Sequence, residues 1–460
     1  MSNARKPERA RTVSLVAATI LAAFVIFVAG VDTGFRITTG FGVWGIGSSI
    51  ARSTVADMQS ALGAEPVYFL QPARGPGAGV TVNDIDDGRL VMIAGFFDGS
   101  NGIRLMRRDG SIVAAWSLSY TALFPERSHL LDIAPQTDWN TDLHGTVLNP
   151  DGSAVTNFDY AGAVKLDRCG GTEWALNAPA HHSVERSETG GYWIGGMRFL
   201  DPANMADTFP PLTSQKDVPY FRDDQIMKVA EDGRILDSRS VTRILYDSGL
   251  EPLLTANGFS FYPNGHWNKE LVHLNKIAEL PAALAPAFPE FAAGDLMISL
   301  REHNLIAVID PATWRVKWHQ TGPWKRQHDP EFAPDGTISV FNNNTYRLNL
   351  GEFDRSDPNS PKVSTILRVD PRTGEARKVY GGAPGQEFLT TIRGKHEIEP
   401  DGGMMITEFE GGRAFQVDAS GRIVWEFINR YSGAFVAEIT EARVYDPSYF
   451  TVTDWSCPGS

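Results

Sequence analysis

A six-fold repeat constrains the fold of this chain more than any other feature of its sequence. The repeated unit is a Gly-containing turn, an apolar run, a second apolar run ending in Asp, another Gly-containing turn and a last apolar run that often ends in Trp. The copies cover residues 85–116, 149–174, 294–318 and 399–427, with weaker ones at 190–232 and 336–370. Because one such unit cannot bury both faces of its own strands, neighbouring copies must pack on one another.

The aspartate of the second turn marks the length of each copy. Successive aspartates are 48 to 78 residues apart, at Asp109, Asp167, Asp232, Asp310, Asp370 and Asp418. That distance fits a four-stranded antiparallel sheet with its loops. Six such sheets around an axis make an all-β, six-bladed β-propeller, which is the fold predicted for residues 83–450. A pair of β-sandwiches or a solenoid with similar turns is the alternative.

The segment before the repeats predicts an N-terminal transmembrane helix. Residues 13–31 form a 19-residue stretch without charge, long enough as a helix to cross about 30 Å of hydrocarbon. The basic flank at residues 1–12 predicts a cytoplasmic N-terminus, a single pass through the inner membrane and a body facing the periplasm. A cleaved signal peptide is the alternative. Residues 32–82 are predicted to be a spacer with one short helix and a linker, and residues 451–460 a C-terminal tail.

Charge and cysteine content limit the partners of the chain. Its net charge of −13 disfavours nucleic acid or an anionic lipid surface as the main partner, because either would need a broad basic face. An anionic ligand must then meet a local basic pocket. Cys169 and Cys457 are the only cysteines. Whether they pair in an oxidising compartment stays open, since separation in sequence does not decide the geometry.

Histidines recur at one position of the repeat. His144, His182 and His328 each lie eight residues before the glycine of a first turn, and His396 lies six before one. His273 precedes a Pro- and Ala-rich insertion, so five of the six copies carry a histidine at this position. In a propeller the strand entering each blade lies nearest the axis, and these five imidazoles are therefore expected to meet at one mouth of the central channel.

Two arginines add positive charge to the same part of the sequence. Arg301 and Arg347 lie close to the histidine positions, which predicts a small cationic pocket suited to an anion. The remaining histidines are expected to be structural or exposed: His129, His181, His266, His303 and His319. His181 is the exception that could exchange places with His182.

Several short motifs resemble the bacterial arylsulfotransferases (arylsulfate sulfotransferases), a family of exported propellers. They are His273-Leu274-Asn275, Ser299-Leu300-Arg301, Gln327-His328-Asp329, Phe341-Asn342-Asn343 and Arg347. The resemblance covers residues 140–430 and is most specific between residues 295 and 347. It implies transfer of a sulfuryl group from one phenol to another, with no nucleotide donor, no cofactor and no metal, through a covalent sulfohistidine.

The resemblance also implies roles for individual residues. His273, His328, Arg347 and His396 are the catalytic candidates, with His328 and Arg347 holding the sulfuryl group and His273 in acid-base work or binding. His396 is the nearest candidate for the nucleophile, although the family's Gly-Ser-x-His context does not occur in this chain. The substrate-binding candidates are His144, His182, Asn275, Arg301 and Asn343.

Two other functions fit the same residues. Four or five imidazoles around an axis suit iron, zinc or copper, although the nearby arginines would repel a cation. A non-catalytic module, anchored in the membrane and presenting its mouth to a protein partner, is the other. The sequence contains no Gly-x-Ser-x-Gly elbow, no phosphate-binding Gly-x-x-x-x-Gly-Lys loop and no Cys-x-x-Cys pair, which removes the common alternatives for nucleophilic or nucleotide chemistry.

Overall fold

Antiparallel strands joined by the repeated turns make up most of the regular structure. The computed structural model describes residues 66–131, 134–201, 220–255, 270–345 and 363–457, with a few isolated positions elsewhere. The propeller unit spans Phe69–Ser460, and little of the other unit, Met1–Tyr68, is described. The predicted membrane helix at residues 13–31 lies outside the described residues.

Six sheets form the blades in the described part of the chain, and the strands of each follow one another from the axis outward. Blade 1 contains β27 (Ile439–Tyr445), β3 (Leu90–Phe97), β4 (Ser100–Met106) and β5 (Ile112–Leu118). Blade 2 contains β6 (Leu143–Leu148), β7 (Ala154–Phe158), β8 (Gly162–Leu166) and β9 (Thr172–Leu176). Blade 3 contains β10 (Ala180–Arg186), β11 (Tyr192–Leu200), β12 (Phe221–Val229) and β13 (Ile235–Ser240).

The remaining three blades follow the same order. Blade 4 contains β14 (Leu274–Glu279), β15 (Leu296–Leu300), β16 (Leu305–Asp310) and β17 (Arg315–Thr321). Blade 5 contains β18 (His328–Phe332), β19 (Ile338–Asn342), β20 (Thr365–Val369) and β21 (Ala376–Tyr380). Blade 6 contains β22 (Lys395–Ile398), β23 (Met404–Glu408), β24 (Arg413–Val417), β25 (Ile423–Ile428) and β2 (Gly79–Asn83). The all-β, six-bladed propeller predicted from the repeat is confirmed.

Short elements lie outside the blades. β1 (Leu70–Pro72) pairs with β26 (Phe435–Ala437). The helices are α1 (Tyr120–Leu123), α2 (Val241–Asp247) and α3 (Glu251–Thr255), with 3₁₀ turns at Val67–Phe69, Ala285–Ala287, Arg301–His303, Phe409–Gly411 and Pro447–Tyr449. Within the ranges described, no helix has the length and apolar character needed to span a membrane.

Each blade buries its faces against its two neighbours. The innermost strands contact one another around the axis. β6, the innermost strand of blade 2, is buried along its whole length, and so is β15, the second strand of blade 4. The outermost strand alternates instead, as in β17, where exposed and partly buried residues take turns. Among the described residues, six apolar clusters each join two adjacent blades, so the core is a ring of interfaces between sheets.

The repeated Asp and Trp residues have a structural purpose. Each of the six aspartates accepts a hydrogen bond from the backbone N–H two residues later, which fixes the turn between the third and fourth strands. The indole N–H of Trp116 then donates to the carbonyl of Asp167 in blade 2 at 2.8 Å. Trp174 and Trp425 make the same bond to blades 3 and 1. The repeat thus records how one blade is fastened to the next.

Two segments join the propeller from distant parts of the chain. β27 pairs with β3 and completes blade 1, which closes the ring. β2 adds an outer strand to blade 6, and the propeller unit begins at Phe69, earlier than the boundary at residue 83 that the repeat suggested. β2 is only five residues long and is surrounded by Pro- and Gly-rich sequence, so its short alternation of Val80 and Val82 with polar residues did not identify it as an edge strand.

A disulfide fastens the segment after β27 to blade 2. Cys169 lies in the turn between β8 and β9, and its Cα is 5.6 Å from that of Cys457. The ring of Trp455 packs edge-on against Trp116, 6.5 Å between centroids. The sequence left open whether the two cysteines pair, and the structure shows that they form a disulfide with each other.

Replacing both cysteines, in a Cys169→Ser/Cys457→Ser variant, is expected to lower the free energy of unfolding by about 2–4 kcal/mol, because the unfolded chain regains the freedom that the crosslink removes. Denaturant unfolding followed by tryptophan fluorescence measures the loss. A reducing agent should lower the stability of the original protein and leave the variant unchanged. Equal stability of the two proteins under oxidising conditions would contradict the prediction.

Candidate active site

Four imidazole rings meet at one end of the inner strands of blades 2 to 5. The ring centroid of His182 lies 3.8 Å from that of His144, 4.7 Å from that of His273 and 6.3 Å from that of His328. All four side chains are buried. We call these four residues the histidine cluster; residues 144, 182, 273 and 328 are therefore brought together as the register predicted.

Irregular pairing of the inner strands turns these side chains toward one another. In blades 2 to 5 the register between first and second strands shifts beside the histidine, between residues 143 and 146, 180 and 184, 274 and 276, and 328 and 331. An extra residue at such a bulge re-aims the side chains next to it. His182 and His273 also have φ of 57°, a left-handed conformation that is uncommon for residues with a Cβ.

A glycine allows the first two rings to come so close. A Cβ at Gly145 would lie 2.5 Å from the carbonyl oxygen of His182 and 2.6 Å from the amide nitrogen of Val184. Only a residue without a side chain leaves room for β6 to approach β10 at this point. The rings of His144 and His182 pack together as a result.

The orientation of His328 is set by an amide whose own direction is fixed. The Asn343 Nδ2 donates to the carbonyl oxygens of Thr390 and Arg393 at 3.1 and 2.8 Å, so its Oδ1 faces His328. This Oδ1 lies 2.7 Å from His328 Nδ1, and the carbonyl oxygen of Arg326 lies 3.1 Å from it. Since both partners are acceptors, Nδ1 carries the proton and Nε2 presents a lone pair. Within the described residues Nε2 has no hydrogen-bond partner.

Burial keeps most of the cluster uncharged near neutral pH. Burial, followed by the positive charge of Arg301, holds the pKa of His328 well below its usual value. Burial and the neighbouring histidines do the same to the pKa of His182. For His144, burial lowers the pKa even though Asp159 Oδ1, 2.9 Å from Nδ1, opposes the shift. These rings are therefore available as neutral bases.

His396 does not join the cluster. β22 pairs with β23 without a register shift, so His396 stays in the ladder opposite Ile406. Its Nε2 lies 2.6 Å from Ser339 Oγ in blade 5, and its backbone N–H donates to Asp329 Oδ2 at 2.7 Å. The ring thus packs between two blades, and the expectation that it meets the other four is corrected by this geometry. The residue facing the mouth from this part of blade 6 is Arg393.

Three arginines near the cluster, Arg301, Arg326 and Arg393, differ in how fully carboxylates neutralise their charge. Arg301 Nε and Nη2 donate to Glu302 Oε1 at 3.1 and 2.8 Å, and Arg326 Nη2 approaches the same oxygen at 3.5 Å. One carboxylate therefore serves two guanidinium groups, and Arg326 Nε has no partner among the described residues. Arg393 pairs with Asp142, and with Asp159 Oδ2 at 3.2 Å. Arg347 lies outside the described residues.

Asn275 and Asn343 lie beside the cluster but are used differently. Asn275 Nδ2 donates to the carbonyl oxygen of Gln327 at 2.7 Å, which ties blade 4 to blade 5. Asn343 instead orients His328 through its Oδ1. The sequence analysis predicted that both bind substrate. The described contacts do not test this role, and it stays a prediction.

The structure brings three further residues to this site: Asp159 and Arg326, which the sequence reasoning missed, and His181, which it gave only as a possible substitute for His182. His181 Nδ1 lies 2.9 Å from His182 Nδ1. Asp159 and Arg326 contact cluster members directly. The sequence could have indicated Arg326, because it lies two residues before His328. The adjacent pair His181-His182 could likewise have indicated His181. Asp159 had none, because its approach to His144 depends on the pairing of β6 with β7.

Charged residues fill the channel on the far side of the cluster. Lys276 Nζ, fully enclosed, donates to Glu185, Asp329 and Glu331 at 2.6, 2.9 and 2.5 Å. This ionic layer consists of Lys276, Lys395, Arg443, Glu185, Asp329, Glu331, Glu397 and Glu441. Most of it lines a cavity of about 220 Å³. Burial raises the pKa of Glu397 to about 7, although Arg443 opposes the shift.

One part of the site has the composition of a metal site. Ligand atoms of His144, Asp159 and His182 lie within 4.8 Å of one another. However, Asp159 already accepts hydrogen bonds from His144 and Arg393. His182 is bound on both ring nitrogens, by His181 and by His273, whose Nε2 lies 3.1 Å from His182 Nε2. A metal ion here would have to displace these partners.

Comparison with protein families finds a match over much of the chain. The model described as "Arylsulfotransferase (ASST)" matches residues 144–430, which is more than half of the chain and includes the whole histidine cluster. A comparison with curated proteins found no match.

Comparison with solved structures finds many chains of low sequence identity. A protein of unknown function from Bacteroides caccae is 11% identical, with a TM-score of 0.48, over 78% of this chain and 99% of that one. Virginiamycin B lyase from Staphylococcus aureus is 12% identical, with a TM-score of 0.39, over 82% and 98%. The Dos1 propeller is 12% identical, with a TM-score of 0.35, over 80% and 77%. None of these three likenesses bears on function.

The ionic layer predicts how stability depends on pH. Glu397 has an unfolded pKa of 4.5 and a folded pKa of about 7, so its contribution to stability is present below pH 4.5 and is lost as the pH rises through 7. A Glu397→Gln variant stays neutral, and we expect its free energy of unfolding to exceed that of the original protein by roughly 1–3 kcal/mol at pH 8 and to match it at pH 4.

Denaturant unfolding at the two pH values measures this difference. The exposed Glu375→Gln serves as the control and should match the original protein at both. A pH dependence of stability that is the same with and without the Glu397 carboxyl would show that the prediction is wrong.

Proposed function

Because this chain belongs to the arylsulfotransferase family, we propose that its histidine cluster transfers a sulfuryl group between phenolic compounds without a nucleotide donor. The observation that carries the proposal is the state of His328. Its ring is neutral, oriented by Asn343 and bare at Nε2 within the described residues, and it lies beside arginines that share one carboxylate. A nucleophile next to an anion site is what sulfuryl transfer requires.

The first half of the reaction transfers the group to the enzyme. His328 Nε2 attacks the sulfur of an aryl sulfate, the N–S bond forms, and the S–O bond to the ring breaks with its electron pair leaving on the aryl oxygen. In the second half the oxygen of an acceptor phenol attacks the same sulfur, and the N–S bond breaks. Overall the proton of the acceptor ends on the released phenol, so charge and atoms balance.

Charge on the sulfuryl oxygens is stabilised by fixed cations. Transfer of this kind develops charge on the peripheral oxygens, as phosphoryl transfer does, and positioned donors are most effective away from water. Arg301, whose charge acts on the His328 ring, and Arg326, whose guanidinium meets that of Arg301 at Glu302, supply such donors. Arg347, predicted from the sequence, would add a third from a segment outside the described residues.

A second imidazole is placed to handle the acceptor proton. The Nδ1 of His144 donates to Asp159, which leaves its Nε2 as a base. Asp159 also stabilises the imidazolium that forms, as a carboxylate behind a catalytic histidine does. His144 therefore deprotonates the acceptor phenol in the second half of the reaction.

These assignments exchange two roles that the sequence suggested. His396, the nucleophile expected from the resemblance, is held between blades by Ser339 and Asp329. His328, expected to bind the sulfuryl group, has the bare nitrogen. We therefore assign the covalent step to His328, with His182 and His273 completing the mouth.

A divalent transition metal is the second candidate function. The close approach of His144, Asp159 and His182 favours it, and imidazole and carboxylate are usual ligands of zinc and iron. The pairing of Asp159 with Arg393 and the occupied nitrogens of His182 favour sulfuryl transfer.

Replacement of His328 by Asn is expected to lower turnover of p-nitrophenyl sulfate with a phenol acceptor by about 10³-fold or more, since the covalent route is lost. The thermal midpoint should move by only a few degrees, because the substitution keeps a polar group at a strand end. Protein quenched during turnover should carry an added mass of about 80 Da on the peptide containing His328, as expected for a covalent intermediate.

The exposed His319→Asn variant is the control and should behave as the original protein. An adduct on another residue would show that this residue, and not His328, is the nucleophile. Absence of turnover in folded protein would support a binding module, and a stoichiometric metal that activity requires would support the metal site.

We propose further that the propeller faces the periplasm on a single-pass anchor formed by residues 13–31, with a protein partner near the membrane. The disulfide between Cys169 and Cys457 supports an oxidising compartment. We expect the full chain to stay in the membrane fraction after alkaline extraction and its propeller to be digested by protease added to spheroplasts. Recovery in the soluble periplasmic fraction, with the first 31 residues removed, would instead indicate a cleaved signal peptide.

A further inference from the structure

Three histidines form a hydrogen-bonded row that runs from the interior of blade 3 to the mouth. His181 Nδ1 lies 2.9 Å from His182 Nδ1, and His182 Nε2 lies 3.1 Å from His273 Nε2. At the inner end, His181 Nε2 lies 3.0 Å from the carbonyl oxygen of Gly196 and 3.1 Å from Asp224 Oδ1. At the outer end, His273 Nδ1 lies 2.6 Å from Glu270 Oε1.

The number of protons in this row follows from its contacts. Both terminal nitrogens face acceptors, so each must carry a proton. Each of the two nitrogen-to-nitrogen contacts needs one proton as well, because two facing lone pairs would repel. Four protons on three rings leave one positive charge, and every hydrogen bond is satisfied whether this charge is on His181 or on His273.

Carboxylates stand at both ends to receive that charge. His181 lies against Asp224 and stacks on Tyr160, 4.5 Å between centroids. Burial lowers the pKa of His181, but Asp224 outweighs it and the net pKa is raised. Glu270 accepts from the Tyr160 hydroxyl at 2.7 Å, and its side chain is 18% exposed against 2% for Asp224, so it is the end of the row that opens to solvent.

We infer that His181, His182 and His273 act as a proton relay, which delivers a proton stored beside Asp224 to the aryl oxygen leaving the donor. This inference rests on the proposed sulfuryl transfer. His181 Nδ1–H moves to His182 Nδ1, and His182 Nε2–H moves to His273 Nε2. His273 then gives its Nδ1 proton to Glu270, which passes it to the departing oxygen. His144 releases to water the proton it took from the acceptor phenol. Glu270 takes up one proton from water and returns it through His273 and His182 to His181, so the row regains its first state and the protons balance.

The relay explains why a buried cation lies behind a group of neutral rings. His144, His182 and His328 have pKa values lowered by burial, so at neutral pH none of them carries an additional proton to release. A phenolate leaving group of high basicity needs one, whereas p-nitrophenolate does not. His181 is thus a positioning and proton-supplying residue that acts through His182 and never touches the substrate.

The first test does not depend on activity. In protein with ¹⁵N-labelled histidine, nitrogen-detected NMR at pH 7.5 is expected to show one imidazolium, assigned by its disappearance in His181→Gln. Asp224→Asn should lower the pKa of that imidazolium or transfer its charge to His273. A neutral His181 at this pH would overturn the relay whatever the catalytic outcome.

The second test compares two donors. In Asp224→Asn and His181→Gln, turnover of phenyl sulfate, whose leaving group is strongly basic, is expected to fall about 10²-fold, and that of p-nitrophenyl sulfate by less than about 3-fold. The exposed His319→Gln should change neither. Equal losses for both donors would indicate a merely structural role and overturn the relay. An intact imidazolium in protein that transfers from no donor would instead overturn the sulfuryl-transfer function, and with it the delivery of the proton to an aryl oxygen, while confirming that the row stores a proton at His181.

Discussion

Pairing of β27 with β3 is the constraint on which the rest of the structure depends. Without it blade 1 has no inner strand, the ring of inter-blade clusters is broken, and β6 loses one of its two neighbours at the axis. Each blade buries apolar surface only because another blade covers it. The tryptophan bonds to the next blade and the disulfide at Cys457 reinforce the same closure from the outer side.

The site depends on departures from regular pairing at the inner ends of the strands. A regular strand alternates its side chains between two faces, and an inner strand then turns them toward neighbouring blades. The bulges in blades 2 to 5 break that alternation and turn the histidines toward the axis. Where the bulge is missing, in β22, the histidine remains an interblade residue. The chemistry of the mouth is thus set by local irregularities on a regular scaffold.

Much of the fold was readable from the sequence because the repeat encodes contacts that recur. The Asp in each late turn and the Trp that follows it make the same hydrogen bonds in several blades, so their spacing identifies the blade. β2 escaped notice because its alternation of Val80 and Val82 with polar residues spans only five residues, within a Pro- and Gly-rich segment at the edge of a sheet. Its partner, β25, lies almost the whole propeller away in sequence.

The candidate site could be predicted from the sequence only in part, because spacing gives the position of a residue along its strand but not the direction of its side chain. Counting back from the turns locates the histidines along their strands, which sufficed for His144, His182, His273 and His328. It cannot reveal which strands carry a bulge, and that decided the position of His396. It also cannot reveal which carboxylate stands behind a ring, so Asp159 and Asp224 became visible only with the pairing of the strands.

The closure by β27 has a consequence for the order in which the chain is made. Thr440 bonds to the carbonyl of Ala94, 346 residues earlier, so β3 is synthesised long before the strand that covers its edge. During that interval an unpaired apolar edge is open to the corresponding strand of another nascent chain. Closely spaced ribosomes on one messenger RNA would therefore favour domain swapping, in which β27 of one chain pairs with β3 of another. Widely spaced ribosomes would favour propellers closed by their own β27.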